Sequence, residues 1–331
     1  MYFIGIDIGG TKTAISLSED NCEIIETNFI ETIKSPDFSE TGRKTFQSID
    51  MLLEKHKVSG NDFIIGIACP GPLDLEEGKI AYVATTGWKD VPIVELFRDK
   101  YGVPVFLEND CACAALAEAI RGAGTGSKVV FYVTVSTGVG AGICINGEIF
   151  GGETGNAGEF GHICVEPEGE PCACGGTGCL QNFSSGTSIA LMAKEAAEIA
   201  AALPGVKGKK SVLLSKNEIT AHDVAKAVRQ NDPVAVQVWD YAMKKLGIGI
   251  GIVYQLFTPG AIVFGGGVSN DWDLIEDRLY SVLKDYVYKI NYSDLKPKKL
   301  LRKANLGKLA GTMGAILMAQ KKYENISGER K

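Results

Sequence analysis

The chain has 331 residues, 45% hydrophobic and 22% charged, which is globular composition at a length that usually divides into two lobes. A formal net charge of -6 argues against a general attraction to nucleic acid or an anionic membrane surface, and the basic clusters Lys207 to Lys210 and Lys296 to Lys299 read as solvated loops. No apolar run reaches the roughly 20 residues that span a bilayer, so no membrane partner is expected.

The first residues, Met1-Tyr2-Phe3-Ile4-Gly5-Ile6-Asp7, carry no basic leader and pass straight into strand-like sequence, so a cytoplasmic protein is expected. Apolar stretches of strand length at Phe3 to Ile8, Thr13 to Leu17, Phe63 to Cys69 and Val105 to Leu107 alternate with helical patterns near Thr45 to His56 and Ile93 to Lys100. This is α/β wiring. Pro70-Gly71-Pro72 stops the third strand, and Cys111 to Arg121 reads as an Ala-rich helix entered from Asn109-Asp110. A second α/β unit starts at Val129 to Val135, and in it Asn146-Gly147 is a favoured hairpin turn between Ile143 to Ile145 and Glu148 to Phe150. Helices are predicted at Ser188 to Leu203, Ala221 to Arg229 and Val234 to Phe257, then a strand at Ala261 to Phe264, the glycines Gly265, Gly266 and Gly267, and more helix. The pattern predicts a small lobe over 1–110, joined by a C-terminal helix at about 307–325, and a large lobe over 111–306.

The two units echo each other. Ile6-Asp7-Ile8-Gly9-Gly10-Thr11-Lys12-Thr13 and Val135-Ser136-Thr137-Gly138-Val139-Gly140-Ala141-Gly142 are each a strand, a tight glycine turn and another strand. Glycines and a Thr in such a turn expose backbone N–H groups and a hydroxyl to an anion with no Cβ in the way, which is how phosphate is cradled. Neither turn has the spacing of a Walker A loop or a Rossmann fingerprint. The pair resembles the phosphate hairpins of the actin-like ATPase and sugar kinase folds (ribonuclease H-like), which implies two α/β lobes about a central cleft. In that arrangement Gly265 to Gly267 suit an adenosine approach, and Asp7 suits Mg²⁺ held through water. Glu108-Asn109-Asp110 lies between a strand and a helix, a place where open α/β sheets aim side chains at ligands. A helix cap and a base for phosphoryl transfer both fit that position.

The densest chemistry lies in Glu159-Phe160-Gly161-His162 followed by Cys172-Ala173-Cys174-Gly175-Gly176-Thr177-Gly178-Cys179. One imidazole and three thiolates suit Zn²⁺, and four protein ligands leave no position for a reactive water, so the ion is expected to be structural. The remaining cysteines, Cys22, Cys69, Cys111, Cys113, Cys144 and Cys164, read as small buried hydrophobes, and His56 and His222 as helix-surface residues.

In order and spacing, Asp7 to Lys12, Asn109-Asp110, Ser136 to Gly140, Glu159 to His162, the Cys172 to Cys179 cluster and Gly265 to Gly267 resemble the ROK family of sugar kinases and repressors over nearly the whole chain. The resemblance implies an ATP-dependent hexose kinase, often a homodimer, that uses Mg²⁺ with ATP and has Asp110 as catalytic base. It implies nucleotide contacts at Asp7, Gly9, Gly10, Thr11, Lys12, Thr137, Gly138 and Gly265 to Gly267, and sugar contacts at Gly71, Asn109, Asp110, Glu159, His162 and Gln181. His162 then has two tasks, one ring nitrogen on zinc and the other toward a sugar hydroxyl.

Two positions depart from the family pattern. Gln181 stands where zinc-bearing members commonly have Glu, and Ala84-Thr85-Thr86-Gly87-Trp88 stands where glucose-using relatives have Asn-Leu-Pro-Gly-Trp. Both bear on the substrate, for which glucose at its 6-hydroxyl is expected and N-acetylmannosamine, fructose and allose are the alternatives. Repressor members carry a helix-turn-helix domain ahead of the lobes. Here the first turn starts by residue 9, so a DNA partner is not expected, and a catalytically silent sugar sensor is the alternative of a different class.

Overall fold

The computed structural model describes residues 1–202, 211–288 and 299–328. Lys207 to Lys210, Lys296 to Lys298 and the expected helix end at Leu203 lie outside the described residues. Contacts gather the chain into two units, Met1–Tyr132 with Gly142–Gly158 and Asn305–Lys331, and Val133–Ala141 with Glu159–Ala304.

The elements begin with β1 (Tyr2–Ile8), β2 (Lys12–Glu19), β3 (Ile24–Glu31), α1 (Ser39–Lys55), β4 (Phe63–Cys69), β5 (Leu73–Asp74), β6 (Lys79–Val83), β7 (Trp88–Val91), α2 (Ile93–Tyr101), β8 (Val105–Asn109) and α3 (Asp110–Arg121). Five strands form a sheet in the order β3-β2-β1-β4-β8. Within it β1, β2 and β3 are antiparallel, while β1, β4 and β8 are parallel. Every residue of β4 is buried and β1 is nearly so, which is why both read as continuous apolar runs. β3 is the sheet edge and mixes Glu and Asn with Ile and Phe, so an apolar-run reading passes over it. β5, β6 and β7 make a separate antiparallel sheet from strands of two to five residues, too short to show a pattern.

The chain continues with β9 (Val129–Val135), β10 (Val139–Ile145), β11 (Glu148–Ile149), α4 (Gln181–Ser184), α5 (Gly186–Ala202), α6 (Ala221–Arg229), α7 (Pro233–Phe257), β12 (Ala261–Gly265), α8 (Glu276–Tyr286), β13 (Leu301–Lys303) and α9 (Ala310–Ser327). The second sheet has the order β11-β10-β9-β12-β13. Strand for strand this repeats the first sheet, with β9, β10, β11, β12 and β13 in the places of β1, β2, β3, β4 and β8. The local sequence echo is thus one visible part of a repeated topology. Among the described residues no helix is long and apolar enough to cross a membrane.

Small residues fix where α9 lies in the first unit. Gly5 of β1 pairs with Gly66 of β4, and a Cβ on either would overlap the backbone of α9, at the Thr312 and Ala315 carbonyls. On its other side a Cβ on Gly314 would overlap the Cys113 carbonyl of α3. α3 is therefore packed backbone to backbone on α9, and the first unit runs on through α3 where the sequence pattern put a boundary near 110.

Cys22, Cys69, Cys113 and Cys144 are buried and Cys111 is half-buried. Cys164 is a correction, because it is exposed, its backbone bridged to Cys179. His56 also departs from a surface reading. It follows α1, half-buried, with Nε2 2.8 Å from Glu26.

Candidate functional site

In the first unit, β1 carries Asp7 to the sheet end where α9 begins. The backbone of Gly311 lies against the Asp7 carboxylate so closely that a Cβ there would overlap it. Burial, and after it the negative charge of Asp110, push the Asp7 carboxyl up to about 7. Asp110 opens α3, and its carboxylate accepts the Cys111 N–H at 2.8 Å. Asn109 is the N-cap, its side-chain oxygen accepting from Cys111 and Ala112 at 2.9 and 3.1 Å. The cap uses the amide oxygen, while Nδ2 faces Gly71, 3.8 Å from where a Cβ would stand.

The first turn spans 9–11, between β1 and β2, and closes with the Gly9 N–H donating to the Lys12 carbonyl at 3.0 Å. Gly10 abuts Thr85, whose Oγ1 would be 2.8 Å from a Cβ at that position. The Lys12 ammonium leaves the turn and stands 3.6 Å from the centre of the Phe29 ring, a cation–π contact. Trp88 is wholly buried and meets Phe38 edge-on at 5.0 Å, so it serves the core of this unit.

In the second unit, His162, Cys172, Cys174 and Cys179 converge, with all four ligand atoms within 4.8 Å of one another. Cys174 and Cys179 sulfurs are 3.6 Å apart, and Cys172 Sγ is 3.7 Å from His162 Nδ1. A tetrahedron with Zn–S near 2.3 Å and Zn–N near 2.0 Å has edges of about 3.5 to 3.8 Å, so the four ligands fit such an ion. Hydrogen bonds within the cluster outweigh burial at Cys172 and bring it down to about 7, whereas burial and the neighbouring cysteines push Cys179 up to about 12. Because Nδ1 faces the sulfurs, the other ring nitrogen, Nε2, faces Glu159, 3.9 Å away.

The second turn spans 136–138, between β9 and β10, and closes with the Ser136 N–H on the Gly138 carbonyl at 2.9 Å. The metal-ligand segment braces it. A Cβ on Gly161 would overlap the Val139 carbonyl, and the Gly186 N–H donates to the Ser136 carbonyl at 2.7 Å. Gly266, at φ +82, is pressed onto the Val135 carbonyl, which accounts for a glycine at that place in the third cluster. Beside the turn opens a cavity of about 640 Å³ lined by Ser136, Thr137, Gly186, Lys194, His222 and Gly267 among others. That is the size of a small-molecule site.

Sequence reasoning missed the walls of this cavity. Lys194 lies on α5 and His222 on α6, and no local spacing links them to Thr137. His222 is exposed, with Nδ1 3.3 Å from Asp271. Lys245 of α7 was equally silent. It is buried, ion-paired with Glu166 of the metal-ligand segment, and its Nζ lies 5.2 Å from the Phe183 and Tyr241 ring centres. A cluster of apolar residues around one Lys gives no signal until the fold supplies its carboxylate.

Fold and sites together define an α/β protein of the actin-like ATPase class, with one short glycine turn on each sheet and a His-Cys₃ cluster able to hold a metal. The chain belongs to the ROK family, whose model matches residues 3–322. A glucokinase from Halalkalibacterium halodurans is 34% identical over 320 residues, 95% of this chain and 93% of that protein. The solved structure of a ROK family glucokinase from Streptomyces griseus in complex with glucose and AMPPNP is 31% identical, with a TM-score of 0.78 over 97% of this chain and 100% of that one. A xylose repressor from Caldicellulosiruptor bescii is 27% identical over 306 residues, 90% of this chain and 75% of that protein.

Proposed function

We propose that the chain is an ATP-dependent hexose kinase that transfers the γ-phosphate to the 6-hydroxyl of glucose. The observation that carries this reading is the recurrence of one three-residue turn in two sheets of identical order, each beside its own chemistry. Asp7 and Asp110 accompany the first, and the metal-ligand segment with Glu159 and His162 accompanies the second. The likeness to glucokinases, one of them solved with glucose and AMPPNP, supports the pair of substrates.

In this reading Asp110 accepts the proton of the attacking hydroxyl, a role that contributes about 10² to 10⁴ in rate. Backbone N–H groups of Gly10, Thr11, Lys12, Thr137 and Gly138 face the phosphates, where fixed dipoles stabilise developing charge, while Gly9, its N–H bonded to the Lys12 carbonyl, shapes the turn. Asp7 would hold, through water, the Mg²⁺ that accompanies ATP, and that ion would supply neutralisation of phosphate charge. Gly265 to Gly267 and the cavity beside them receive adenosine. Gly71, Asn109, Glu159, Gln181 and His162 Nε2 hold sugar hydroxyls. The His-Cys₃ cluster is the seat of a structural Zn²⁺, which would fix the His162 tautomer and ring orientation. The same reading makes the protein a cytoplasmic homodimer, which fractionation and light scattering test.

The direct test is a panel of glucose, fructose, mannose, allose, glucosamine, N-acetylglucosamine and N-acetylmannosamine with ATP and Mg²⁺. Glucose is expected to give the highest kcat/KM, and a higher value for another sugar replaces it as substrate. Binding of a sugar without phosphorylation of any would establish the sensor reading, which the likeness to a xylose repressor favours.

A further inference from the structure

We propose that His222 reads the base of the phosphoryl donor, selecting one with an exocyclic amino group, and that Asp271 and Arg229 orient the imidazole for that task. The inference deepens the reading of the cavity beside the second turn as the adenosine site, and rests on it. His222 lines that cavity together with the apolar side chains of Leu191, Ile219 and Val268, a lining suited to the flat face of a base. The ring is held from behind. Its Nδ1 is 3.3 Å from Oδ2 of Asp271, a buried carboxylate, and Oδ1 of the same group accepts from Arg229 Nη1 at 2.8 Å. Arg229 is fixed in turn by Asp273, which accepts from Nε at 3.1 Å and from Nη2 at 2.6 Å.

These partners assign the tautomer. Asp271, ion-paired with Arg229, only accepts, so the neutral imidazole carries its proton on Nδ1 and Nε2 keeps a lone pair. With Nδ1 engaged, Nε2 is the ring nitrogen left for a ligand, and the His222 side chain is 59% exposed. An acceptor there pairs with the amino group of adenine or cytosine and is left opposing the carbonyl oxygen of hypoxanthine, guanine or uracil. The same geometry fixes what Asp271→Asn does. The new amide oxygen stays with Arg229, which only donates, so the amide NH₂ faces Nδ1. Two donors cannot pair, and the imidazole proton moves to Nε2. The acceptor offered to the base becomes a donor.

The test uses the full-length chain with Mg²⁺, its best sugar, and either ATP or ITP, in which a carbonyl replaces the 6-amino group. kcat/KM for each donor is measured at pH 8 for wild type, His222→Phe and Asp271→Asn. Wild type should prefer ATP by at least about 5-fold. His222→Phe keeps a ring and loses the acceptor, so its ATP-to-ITP ratio should fall about 3- to 10-fold with the KM for sugar unchanged. Asp271→Asn should bring the ratio to equality or past it. No preference in wild type, or a ratio unaltered in His222→Phe, overturns the inference. Equal loss with both donors is what a merely structural role gives, and it overturns the inference too. An unaltered ratio in folded Asp271→Asn overturns the part given to Asp271. Should that variant not fold, His222→Phe decides, because its side chain lies largely in solvent. Turnover with neither nucleotide overturns the adenosine reading itself, and this inference with it.

Discussion

The two glycine turns have the same length, the same place in sheets of the same order, and different supports. The turn at 9–11 meets the Thr85 side chain at Gly10 and takes one main-chain bond, from the Thr32 N–H to the Thr11 carbonyl at 3.1 Å, while its lysine is drawn off to Phe29. The turn at 136–138 is backed by main chain, with Gly161 pressed on the Val139 carbonyl and Gly186 bonded to Ser136. A short glycine sequence suffices to make the turn. How firmly the turn is held depends on what distant segments bring to it, and in the second case that segment carries the His-Cys₃ cluster able to hold a metal.

Removing the ion should break the comparison most severely. Structural Zn²⁺ contributes on the order of 10 kcal/mol to small folded sites, so Cys174→Ser or strong chelation should unfold the second unit, which a thermal melt with and without chelator reports. Equal melting of metal-loaded and metal-free protein would show that the second turn does not depend on its brace. Next, Asp110→Asn should lower sugar-dependent ADP release by about 10² to 10⁴ with little change in melting temperature, separating the chemistry of the first unit from its stability.

Asp7 offers a pH test of the first turn. Its folded carboxyl is raised to about 7, above the unfolded carboxylate range, so the folded state binds the extra proton between roughly pH 4 and 7. The stability contributed by that proton is fully present below pH 4 and is lost as pH rises through 7. Asp7→Asn should therefore gain stability over wild type, by up to about 3 kcal/mol, as pH rises from 4 to 7, with no further gain above. Denaturant melts at pH 5 and 8 measure this, and a constant difference would remove the raised carboxyl. The smaller effects return to the turns themselves. Gly161→Ala should cost about 1 to 3 kcal/mol because its methyl meets a carbonyl that cannot move aside. Gly10→Ala should cost under about 1 kcal/mol, since Thr85 is a side chain that can rotate, and it should show mainly as a raised KM for ATP.

Much of this was legible because it is local. Apolar runs marked β1 and β4, which lie in the sheet interior, and Asn109 at the start of α3 announced the cap that the structure has there. The edge strand β3 and the short sheet β5 to β7 escaped because half-exposed or brief strands carry too few buried residues to impose a pattern. Cys164 looked like its buried counterparts and is exposed, since a single thiol in a run of chain has no periodicity to place it.

The sequence by itself determined the two turns and the His-Cys₃ cluster, because each depends on residue types within one short stretch of chain, and the family, because the order of its motifs runs along nearly the whole length. Only the tertiary structure decided that Gly5, Gly66 and Gly314 seat the C-terminal helix, that Lys194 and His222 join Thr137 around one cavity, and that Gln181 faces a cysteine and a glycine at once. Those relations join segments tens to hundreds of residues apart. They follow from close packing, in which the absence of a Cβ or the reach of one amide matters only when another backbone stands opposite it.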